Sequence, residues 1–377
     1  MNLLMLSGDS SVAQGRDSTF LQMLGRFAAY WDRIDVLCPP AKGAQPRAVY
    51  GNVYVHPSPS HKIAQPTFIA REGAALLSER PYALIASHDY GLFLNGAGAW
   101  RLKRATGVPV VSEIHHVEGY PRAVTRRERL YRRTAFMYIR WAKRWAAAFR
   151  VVNAGQMPDL LRRFRVPDEK ILVLPSLYID FDVFHPLPDQ PRRYDVLFVG
   201  RLVANKGLFT LLSAIKLVSI THPNVRLGIL GSGPLERALK ERVASLGLGG
   251  NVTFIPHQSD AASVARLYTQ AGLVVCASTA EGGPRVTVEA MACGVPVVST
   301  PVGVMADLIE DGENGLLVNW SVGDLAAKIR LLLSDADLHT RLAEAGRAAV
   351  QEFDADRVVE GYARGYHDLI ARLREGR

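Results

Sequence analysis

The chain has 377 residues, 48% of them hydrophobic, and a formal net charge of +9, so its length and apolar content favour two domains. Its three cysteines form no CxxC pair and have no histidines at zinc spacing, which argues against a disulfide framework or a structural metal and fits a reducing cytosol. No run approaches the roughly 18 apolar residues that cross a bilayer, and the N-terminal apolar run is too short for a signal peptide. We therefore expect a cytoplasmic protein whose membrane contacts, if it makes any, are peripheral to the inner face.

Short runs rich in β-branched residues alternate with longer helical stretches, which is typical of parallel βα units. In the first half, six runs are predicted strands: NLLMLS, RIDVLCP, ALIASHD, VPVVSEI, FRVVN and ILVLPS. In the second half, six more are predicted: DVLFVG, RLGILG, NVTFIP, LVVCAS, PVVST and GLLVN. The pattern predicts an α/β protein with two doubly wound, Rossmann-like domains.

A proline-rich segment separates the two halves and carries Pro186, Pro188 and Pro191. Proline is excluded from helix interiors and central strands, so we place the linker there. The predicted domains are therefore 1–187 and 188–354. The final segment, 355–377, has apolar residues at helical spacing, and we expect a terminal helix that packs back on the first domain.

The segment LVVCASTAEGGPRVTVEAMACGVPVV carries the most specific signal in the chain. A predicted strand leads into a loop with two glycines, and Pro284 then opens a helix at a position where its missing N–H costs nothing. The start of such a helix presents unpaired N–H groups and a positive dipole end, which suits a phosphate. Glu281 precedes the helix and Glu289 lies in its second turn, so two carboxylates flank the predicted anion site.

A second anion-binding element is DVLFVGRLVANKG, where a predicted strand ends at Gly200 and Arg201, Lys206 and Gly207 follow. Arginine offers a planar fork of donors and lysine a mobile point charge, and a departing diphosphate requires compensation of this kind. Taken alone, the segment also fits a solvated loop with two surface cations. Its place at a strand end of the same predicted sheet favours a function.

The motifs EGGPRVTVEAMACGVPVV, GRLVANKG and LGILGSGPLE together resemble those of the family 4 (group 1) retaining glycosyltransferases. The resemblance is dense from about residue 190 to 335. It implies the GT-B architecture, in which two Rossmann-like domains face each other across a cleft. The first domain is then expected to bind the acceptor and the second the nucleotide sugar.

The resemblance also implies roles for individual residues. Glu281 is similar to the glutamate that binds donor-sugar hydroxyls, and Glu289 to the one that binds the ribose. Arg201 and Lys206 are similar to the pair that neutralises the diphosphate. Backbone contacts near the diphosphate are implied for the residues that open the helix: Gly283, Pro284, Arg285 and Val286. In the first half, the family register implies donor contacts for Gly15 and sugar contacts for His115, with His116 adjacent.

The function implied is retaining transfer of a hexose from a UDP- or GDP-linked sugar to a hydroxyl of a glycan or lipid-linked acceptor. Neither a metal ion nor a cofactor is expected, and Asp180 and Asp182 align with a linker motif rather than with a metal site. A GT-B enzyme that acts on a soluble sugar or sugar phosphate is the alternative. A non-catalytic binder of anionic membranes would leave the acidic motif unexplained, and the fingerprint of a dinucleotide-dependent oxidoreductase is missing.

Residues 122–150 hold ten basic groups against one acidic group, so the positive charge is concentrated in one segment. This composition, with interspersed aromatic residues, is typical of a helix at a membrane interface. The alternative is a solvated basic helix whose aromatic residues belong to the core. No nucleic-acid recognition module accompanies the segment, so nucleic acid is not an expected partner. The basic patch predicted to face an anionic membrane consists of Arg126, Arg127, Arg129, Arg132, Arg133, Arg140, Lys143 and Arg144.

Overall fold

The structure is a computed structural model that describes residues 1–15, 18–187, 190–258 and 260–375. The chain forms two compact units. The first contains Met1–Val117, Leu130–Ser176 and the chain from Asp356 onward, and the second contains Glu118–Arg129 and Leu177–Ala355. All twelve predicted strands are present, and the α/β prediction is confirmed.

Eight strands form the sheet of the first unit: β1 (Asn2–Leu6), β2 (Arg33–Cys38), β3 (Arg47–Ala48), β4 (Val53–Pro57), β5 (Leu84–His88), β6 (Val110–Glu113), β7 (Ala148–Val151) and β8 (Ile171–Val173). They lie in the order β3-β4-β2-β1-β5-β6-β7-β8, and all pair in parallel except β3 with β4. The strand order reverses between β1 and β5. In open α/β sheets, ligands bind at the carboxyl ends of the strands at such a switch point.

Six strands form the sheet of the second unit: β9 (Tyr194–Val199), β10 (Leu227–Leu230), β11 (Val252–Ile255), β12 (Ala271–Cys276), β13 (Val297–Ser299) and β14 (Leu316–Leu317). Their order is β11-β10-β9-β12-β13-β14, and every pairing is parallel. Numbered within the unit, this is the 3-2-1-4-5-6 order of dinucleotide-binding folds. Its switch point lies between β9 and β12, the strands that lead into the two predicted anion-binding loops.

Fourteen α-helices complete the described fold: α1 (Ser11–Gln14), α2 (Thr19–Phe27), α3 (Gln65–Glu79), α4 (Leu94–Thr106), α5 (Arg126–Ala142), α6 (Gln156–Arg163), α7 (Leu208–Val218), α8 (Glu236–Ser245), α9 (Ala261–Thr269), α10 (Arg285–Ala292), α11 (Met305–Leu308), α12 (Val322–Ser334), α13 (Ala336–Ala349) and α14 (Ala355–Glu375). Within the described ranges, none of them is long and apolar enough to cross a membrane.

Burial on both faces of the sheet explains why the central strands are apolar runs rather than alternating ones. Residues Leu3 to Leu6 of β1 are fully buried. The long helix α14 groups with the first unit, where Tyr362 stacks on Phe27 of α2 with ring centroids 4.6 Å apart. The end of the chain therefore contributes to the same core as its first strand.

The structure differs from the sequence expectations in three places. The sequence patterns do not predict β3 and β4, because β3 has only two residues and Tyr54 and His56 interrupt the apolar run of β4. Residues 118–129 and residues 177–187, which both fall inside the predicted first domain, group with the second unit. Pro188 of the predicted linker, like Gly376 and Arg377 of the predicted terminal helix, lies outside the described residues.

Candidate active site

The predicted phosphate site is the start of α10, at the end of the loop that follows β12. Pro284 is the N-cap residue, and no side-chain oxygen caps the helix. A hydrogen bond fixes the preceding loop, because Val304 N donates to Gly282 O at 2.9 Å. A Cβ on Gly303 would lie 2.1 Å from that same carbonyl oxygen, so only glycine allows this close approach. A rigid loop thus leads into an uncapped helix start.

The switch point of the second unit brings together the two predicted anion-binding loops. Lys206 Nζ lies 2.5 Å from Glu281 Oε1, and both side chains are largely buried. Asn205 joins the same loops, accepting from Thr279 N at 2.8 Å and donating to Ala280 O at 3.1 Å. Residues 75 positions apart in the sequence therefore form one charged pair, as the strand order predicts.

Glu289 points into a polar environment that the sequence did not reveal in full. Its Oε1 accepts from Arg285 Nε at 2.9 Å, and its Oε2 accepts from Tyr268 OH at 2.9 Å. Burial raises the pKa of Glu289, and the charge of Arg285 and both hydrogen bonds oppose that rise. Tyr268 lies in the last turn of a different helix, α9, and no sequence pattern marks it as a partner of the acidic motif.

Arg201 is exposed, and its side chain makes no hydrogen bond or ion pair with another residue in the described ranges. Its positive charge acts on Glu118. Burial raises the pKa of that carboxyl, and the charges of Arg127 and Arg201 oppose the rise without cancelling it. The structure therefore does not bring Arg201 into contact with the pair formed by Lys206 and Glu281. Glu118 itself was not singled out from the sequence.

In the first unit, a cavity of about 230 Å³ opens at the switch point between β1 and β5. His115 and His116, which follow β6, both line it, and the other residues around it are Ser7, Gly8, Asp9, Phe20, His88, Asp89, Tyr90 and Glu113. His115 Nε2 lies 3.2 Å from Glu113 Oε2. Gly15 lies elsewhere in this unit, where it ends α1 with a φ of 67° in the left-handed region.

Two other ionisable groups of this cavity have strongly shifted pKa values. Burial lowers the pKa of His88 to about 4, so its ring is neutral at physiological pH. Burial also raises the pKa of Asp89 to about 7, although Ser87 and Tyr138 donate to its carboxylate at 2.8 and 2.6 Å. Perturbed groups in a cleft at a switch point are the usual mark of a functional site.

Helix α5 carries most of the predicted basic patch. Its exposed face follows helical spacing and consists of Arg126, Leu130, Arg133, Met137 and Arg140. Leu130 and Met137 are 58% and 61% exposed, so two large apolar side chains lie among the cations. Arg127, Arg129 and Arg144 are also exposed, whereas Arg132 is half-buried. Lys143 is not on this face, because it is half-buried and donates to Phe164 O at 2.8 Å.

Among the aromatic residues of this segment, Tyr138 and Trp145 belong to the core, as the alternative interpretation states, and Tyr131, Phe136 and Trp141 are half-buried. Tyr138 is buried and stacks on Phe93 with centroids 4.3 Å apart. Trp141 contacts Trp100 and Trp145 at centroid distances of 5.4 and 5.1 Å. Tyr138 and Trp141 therefore pack against other side chains of the unit, and the exposed side chains of α5 are arginines together with Leu130 and Met137.

No group of three or more histidine, cysteine, aspartate or glutamate side chains could hold a metal ion in the part of the chain that the structure describes. Asp180 and Asp182 form a local turn, in which Asp182 N donates to Asp180 Oδ1 at 3.1 Å.

Comparisons with known proteins match both halves of the chain to one enzyme class. The family model "Glycosyl transferases group 1" matches residues 183–349, and the model "Glycosyl transferase 4-like domain" matches residues 17–176. A D-inositol 3-phosphate glycosyltransferase from Segniliparus rotundus is 30% identical over 311 residues, which cover 78% of this chain and 67% of that protein. An N-acetyl-alpha-D-glucosaminyl L-malate synthase from Bacillus anthracis is 32% identical over 162 residues, or 42% of this chain and 41% of that protein.

Solved structures agree with the chain over nearly its whole length. Sucrose-phosphate synthase from Thermosynechococcus elongatus superposes with a TM-score of 0.84 at 22% identity, covering 98% of this chain and 99% of that one. Anabaena HepE in complex with UDP-glucose gives a TM-score of 0.74 at 21% identity, covering 98% and 100%. At these identities the likeness shows the fold, which is GT-B. Together with the family models and the relatives, it shows that the chain belongs to the group 1 glycosyltransferases.

Proposed function

We propose that this enzyme transfers a hexose from a nucleotide-diphosphate sugar to an acceptor hydroxyl with retention of the anomeric configuration. The observation that carries the proposal is the switch point of the second unit. There the pair formed by Lys206 and Glu281 lies in the two loops at the strand ends, one of which leads into the uncapped start of α10, and Glu289 lies in the second turn of that helix. Cations and bare N–H groups suit a diphosphate, and carboxylates suit the hydroxyls of a sugar and a ribose.

In this proposal the protein contributes positioning and charge stabilisation rather than a covalent nucleophile. Lys206, Arg201 and the start of α10 stabilise the negative charge that grows on the departing diphosphate. Glu281 orients the sugar, and Glu289 holds the ribose. The acceptor hydroxyl then attacks on the face that the diphosphate leaves, and a phosphate oxygen takes the proton. Because these groups supply the compensating charge, no metal ion is required.

The donor is proposed to be a UDP- or GDP-linked hexose. Support for UDP comes from structurally similar HepE, whose structures contain UDP, UDP with glucose, or UDP-glucose. A panel of UDP-, GDP- and ADP-sugars in titration calorimetry tests the donor, with Glu281→Ala and Glu289→Ala as variants. We expect binding of at least one donor and a loss of tenfold or more in each variant. Undiminished affinity in both variants would remove Glu281 and Glu289 from the site.

Retention is tested separately by the stereochemistry of the product. Proton NMR of the newly formed glycoside reports its anomeric configuration through the coupling constant of the anomeric hydrogen. We expect the configuration of the donor. An inverted product would overturn the proposed mechanism while leaving the donor site intact.

The acceptor is proposed to be a lipid-linked or membrane-surface glycan. The exposed face of α5 supports this, because three arginines on one stripe alternate with the exposed Leu130 and Met137. Basic residues attract anionic headgroups with about 1 kcal/mol each, and apolar side chains insert at the acyl boundary. A soluble sugar phosphate is the second candidate, since a relative is named for a D-inositol 3-phosphate substrate.

Flotation with vesicles distinguishes the two candidates. The variant Arg133→Glu/Arg140→Glu changes the charge of the stripe by four units. The control Arg237→Glu/Lys240→Glu makes the same change on α8, where both basic side chains are exposed. We expect the wild type and the control to float with phosphatidylglycerol vesicles and the α5 variant to remain unbound. Equal flotation of all three proteins, or of none, would contradict the membrane proposal.

A further inference from the structure

Glu113 is a carboxylate of the first unit that accepts several hydrogen bonds, and no sequence motif singles it out. It ends β6, it is buried, and partners from four chain segments meet it. Its Oε1 accepts from Tyr362 OH at 2.6 Å and also from Tyr366 OH. Its Oε2 accepts from Arg150 NH1 at 2.7 Å and lies 3.2 Å from His115 Nε2 and 3.3 Å from His88 Nε2.

Arg150 keeps this carboxylate ionised although the site is buried. The guanidinium is itself fully buried and fixed, donating to Leu174 O at 3.1 Å and to Pro175 O at 2.9 Å. Its carbon lies 3.6 Å from the ring centroid of Tyr362. Burial acts to raise the pKa of Glu113. His88, which is protonated only at the low pH where Glu113 would titrate, the charge of Arg150 and the hydrogen bond from His115 together hold that pKa well below its usual range. An ionised carboxylate can only accept hydrogen bonds.

The ionised state of Glu113 decides which nitrogen of His115 carries the proton. Nε2 lies 3.2 Å from Glu113 Oε2, which can only accept, and 3.4 Å from Arg150 NH1, which can only donate. Because Arg150 NH1 already donates to Glu113 Oε2 at 2.7 Å, the shorter contact with the carboxylate makes Nε2 the protonated nitrogen of the neutral ring. The lone pair then resides on Nδ1. Within the described part of the chain, Nδ1 has no hydrogen-bond partner, and the ring lines the cavity with 38% of its side chain exposed. A neutral His115 of this tautomer offers the cavity an acceptor.

We propose that Glu113 is a positioning residue that fixes His115 as the Nε2–H tautomer, so that Nδ1 accepts a hydrogen bond from a substrate hydroxyl. Tyr362 and Tyr366 of α14 fix Glu113 through their hydrogen bonds. Helix α14 thereby influences the tautomer of His115. The proposal rests on the proposed function in one respect, namely that a sugar or acceptor enters this cavity.

The same unit contains a matched control. Asp35 is also a buried carboxylate with an arginine, a tyrosine and a histidine, because it accepts from Arg33 and Tyr82 and lies 2.7 Å from His56 Nε2. That cluster does not line the cavity that contains His115. Removing the charge of Asp35 therefore removes a buried network of similar composition without touching His115.

Imidazole ¹⁵N NMR of histidine-labelled protein tests the tautomer without requiring activity. The His115 signals are identified by their loss in His115→Gln. We expect the Nε2–H pattern for His115 in the wild type and in Asp35→Asn. In Glu113→Gln, whose amide can donate as well as accept, we expect a mixture of tautomers. Tyr362→Phe/Tyr366→Phe, which keeps the carboxylate, covers the case in which Glu113→Gln does not fold, and it should broaden or shift the same signals.

Kinetics test whether the tautomer serves a substrate. We expect Glu113→Gln to lower kcat by 10- to 100-fold while the affinity for UDP alone stays unchanged, and to cause no further loss in a His115→Ala background. Asp35→Asn should lower stability and keep kcat. The Nδ1–H pattern in the wild type, an unchanged pattern in Glu113→Gln, or additive kinetic losses would each overturn the proposal. Inactivity of the wild type with every nucleotide sugar would instead overturn the proposed function, and the NMR result would still decide the positioning role.

Discussion

Gly207→Ala is expected to destabilise the second unit far more than Gly247→Ala, although both glycines have nearly the same backbone conformation. Their φ angles are 68° and 67°, in the left-handed region that costs other residues about 1–2 kcal/mol. A Cβ on Gly247 meets nothing within 4 Å, whereas one on Gly207 would lie 2.1 Å from Ala277 O at the end of β12. A comparison of the two variants therefore separates the cost of backbone strain from the steric cost of the close approach between the two loops.

The magnitudes follow from these two contributions. For Gly247→Ala, the strain is partly offset by about 0.4–1 kcal/mol from the stiffer unfolded chain, which leaves a loss of about 1 kcal/mol. Gly207→Ala adds a steric cost of about 1–3 kcal/mol, because the carbonyl must move. The displaced loop carries Lys206, so we also expect donor affinity to fall by about 10- to 100-fold in Gly207→Ala only.

Urea unfolding followed by circular dichroism measures the first effect, and calorimetric titration with the donor identified from the panel measures the second. The wild type and both variants are compared at equal concentration, with the m-value checked for a change in the unfolded state. Equal losses of stability in the two variants would show that the contact between Gly207 and Ala277 does not hold the loop. Unchanged donor affinity in Gly207→Ala would show that this loop does not contribute to donor binding.

Three further predictions concern buried charges. Arg150→Met leaves Glu113 without its cation, so urea titration should show a loss of about 3–5 kcal/mol that Glu113→Gln partly restores in the double variant. Burial acts to raise the pKa of Asp35, but its hydrogen bonds lower that pKa to about 2. Because the folded value lies below the unfolded one, the carboxylate contributes about 2 kcal/mol of stability above pH 4, which is lost as the pH falls from about 4 to about 2. Asp35→Asn should abolish this acid dependence in urea titrations at a series of pH values. Since burial raises the pKa of Glu289, its carboxylate is neutralised at a higher pH than a free glutamate, so donor affinity should fall on mild acidification in the wild type and not change with pH in Glu289→Gln.

The fold could be predicted because the central strands, such as β1, β6, β10 and β12, are buried on both faces and read as short apolar runs. The one clear omission, β4, has Tyr54 and His56 at alternate positions and pairs with the two-residue edge strand β3. Parallel topology also made part of the site predictable. Lys206 and Glu281 each follow a predicted strand, and adjacent parallel strands end at the same edge of the sheet, which brings the two side chains to 2.5 Å.

The partners of these residues could not be predicted, because they come from helix positions with no local signature. Tyr268 contacts Glu289 from the last residues of α9, and Tyr362 contacts Glu113 across 249 positions of sequence. Both tyrosines lie on the apolar faces of their helices, where a tyrosine and a phenylalanine give the same pattern. Only the hydroxyl distinguishes them, and its partner is defined by tertiary structure.

Helix α5 shows where composition misleads and periodicity does not. Its charge density predicts an interfacial helix, yet none of the aromatic residues that supported this prediction is exposed, and Tyr138 and Trp141 pack against Phe93 and Trp100. The spacing of Leu130 and Met137 relative to the arginines places two apolar side chains on the exposed face instead. Helical spacing separates the two sets of residues. Tyr138, Trp141 and Trp145 follow one stripe, and a second stripe consists of Leu130, Arg133, Met137 and Arg140.

Under the proposed function, the pairing of Lys206 with Glu281 implies that the diphosphate binds Lys206 before Glu281 binds the sugar. Without a donor, the lysine neutralises the glutamate, which lowers the cost of holding a carboxylate in a largely buried site. An arriving diphosphate carries more negative charge than Glu281 and competes for Lys206. The carboxylate is then released at the moment when sugar hydroxyls are present to bind it. A sugar monophosphate or a neutral glycoside draws Lys206 away less strongly, so the same ion pair favours the diphosphate donor over hydroxyl compounds that would otherwise occupy Glu281.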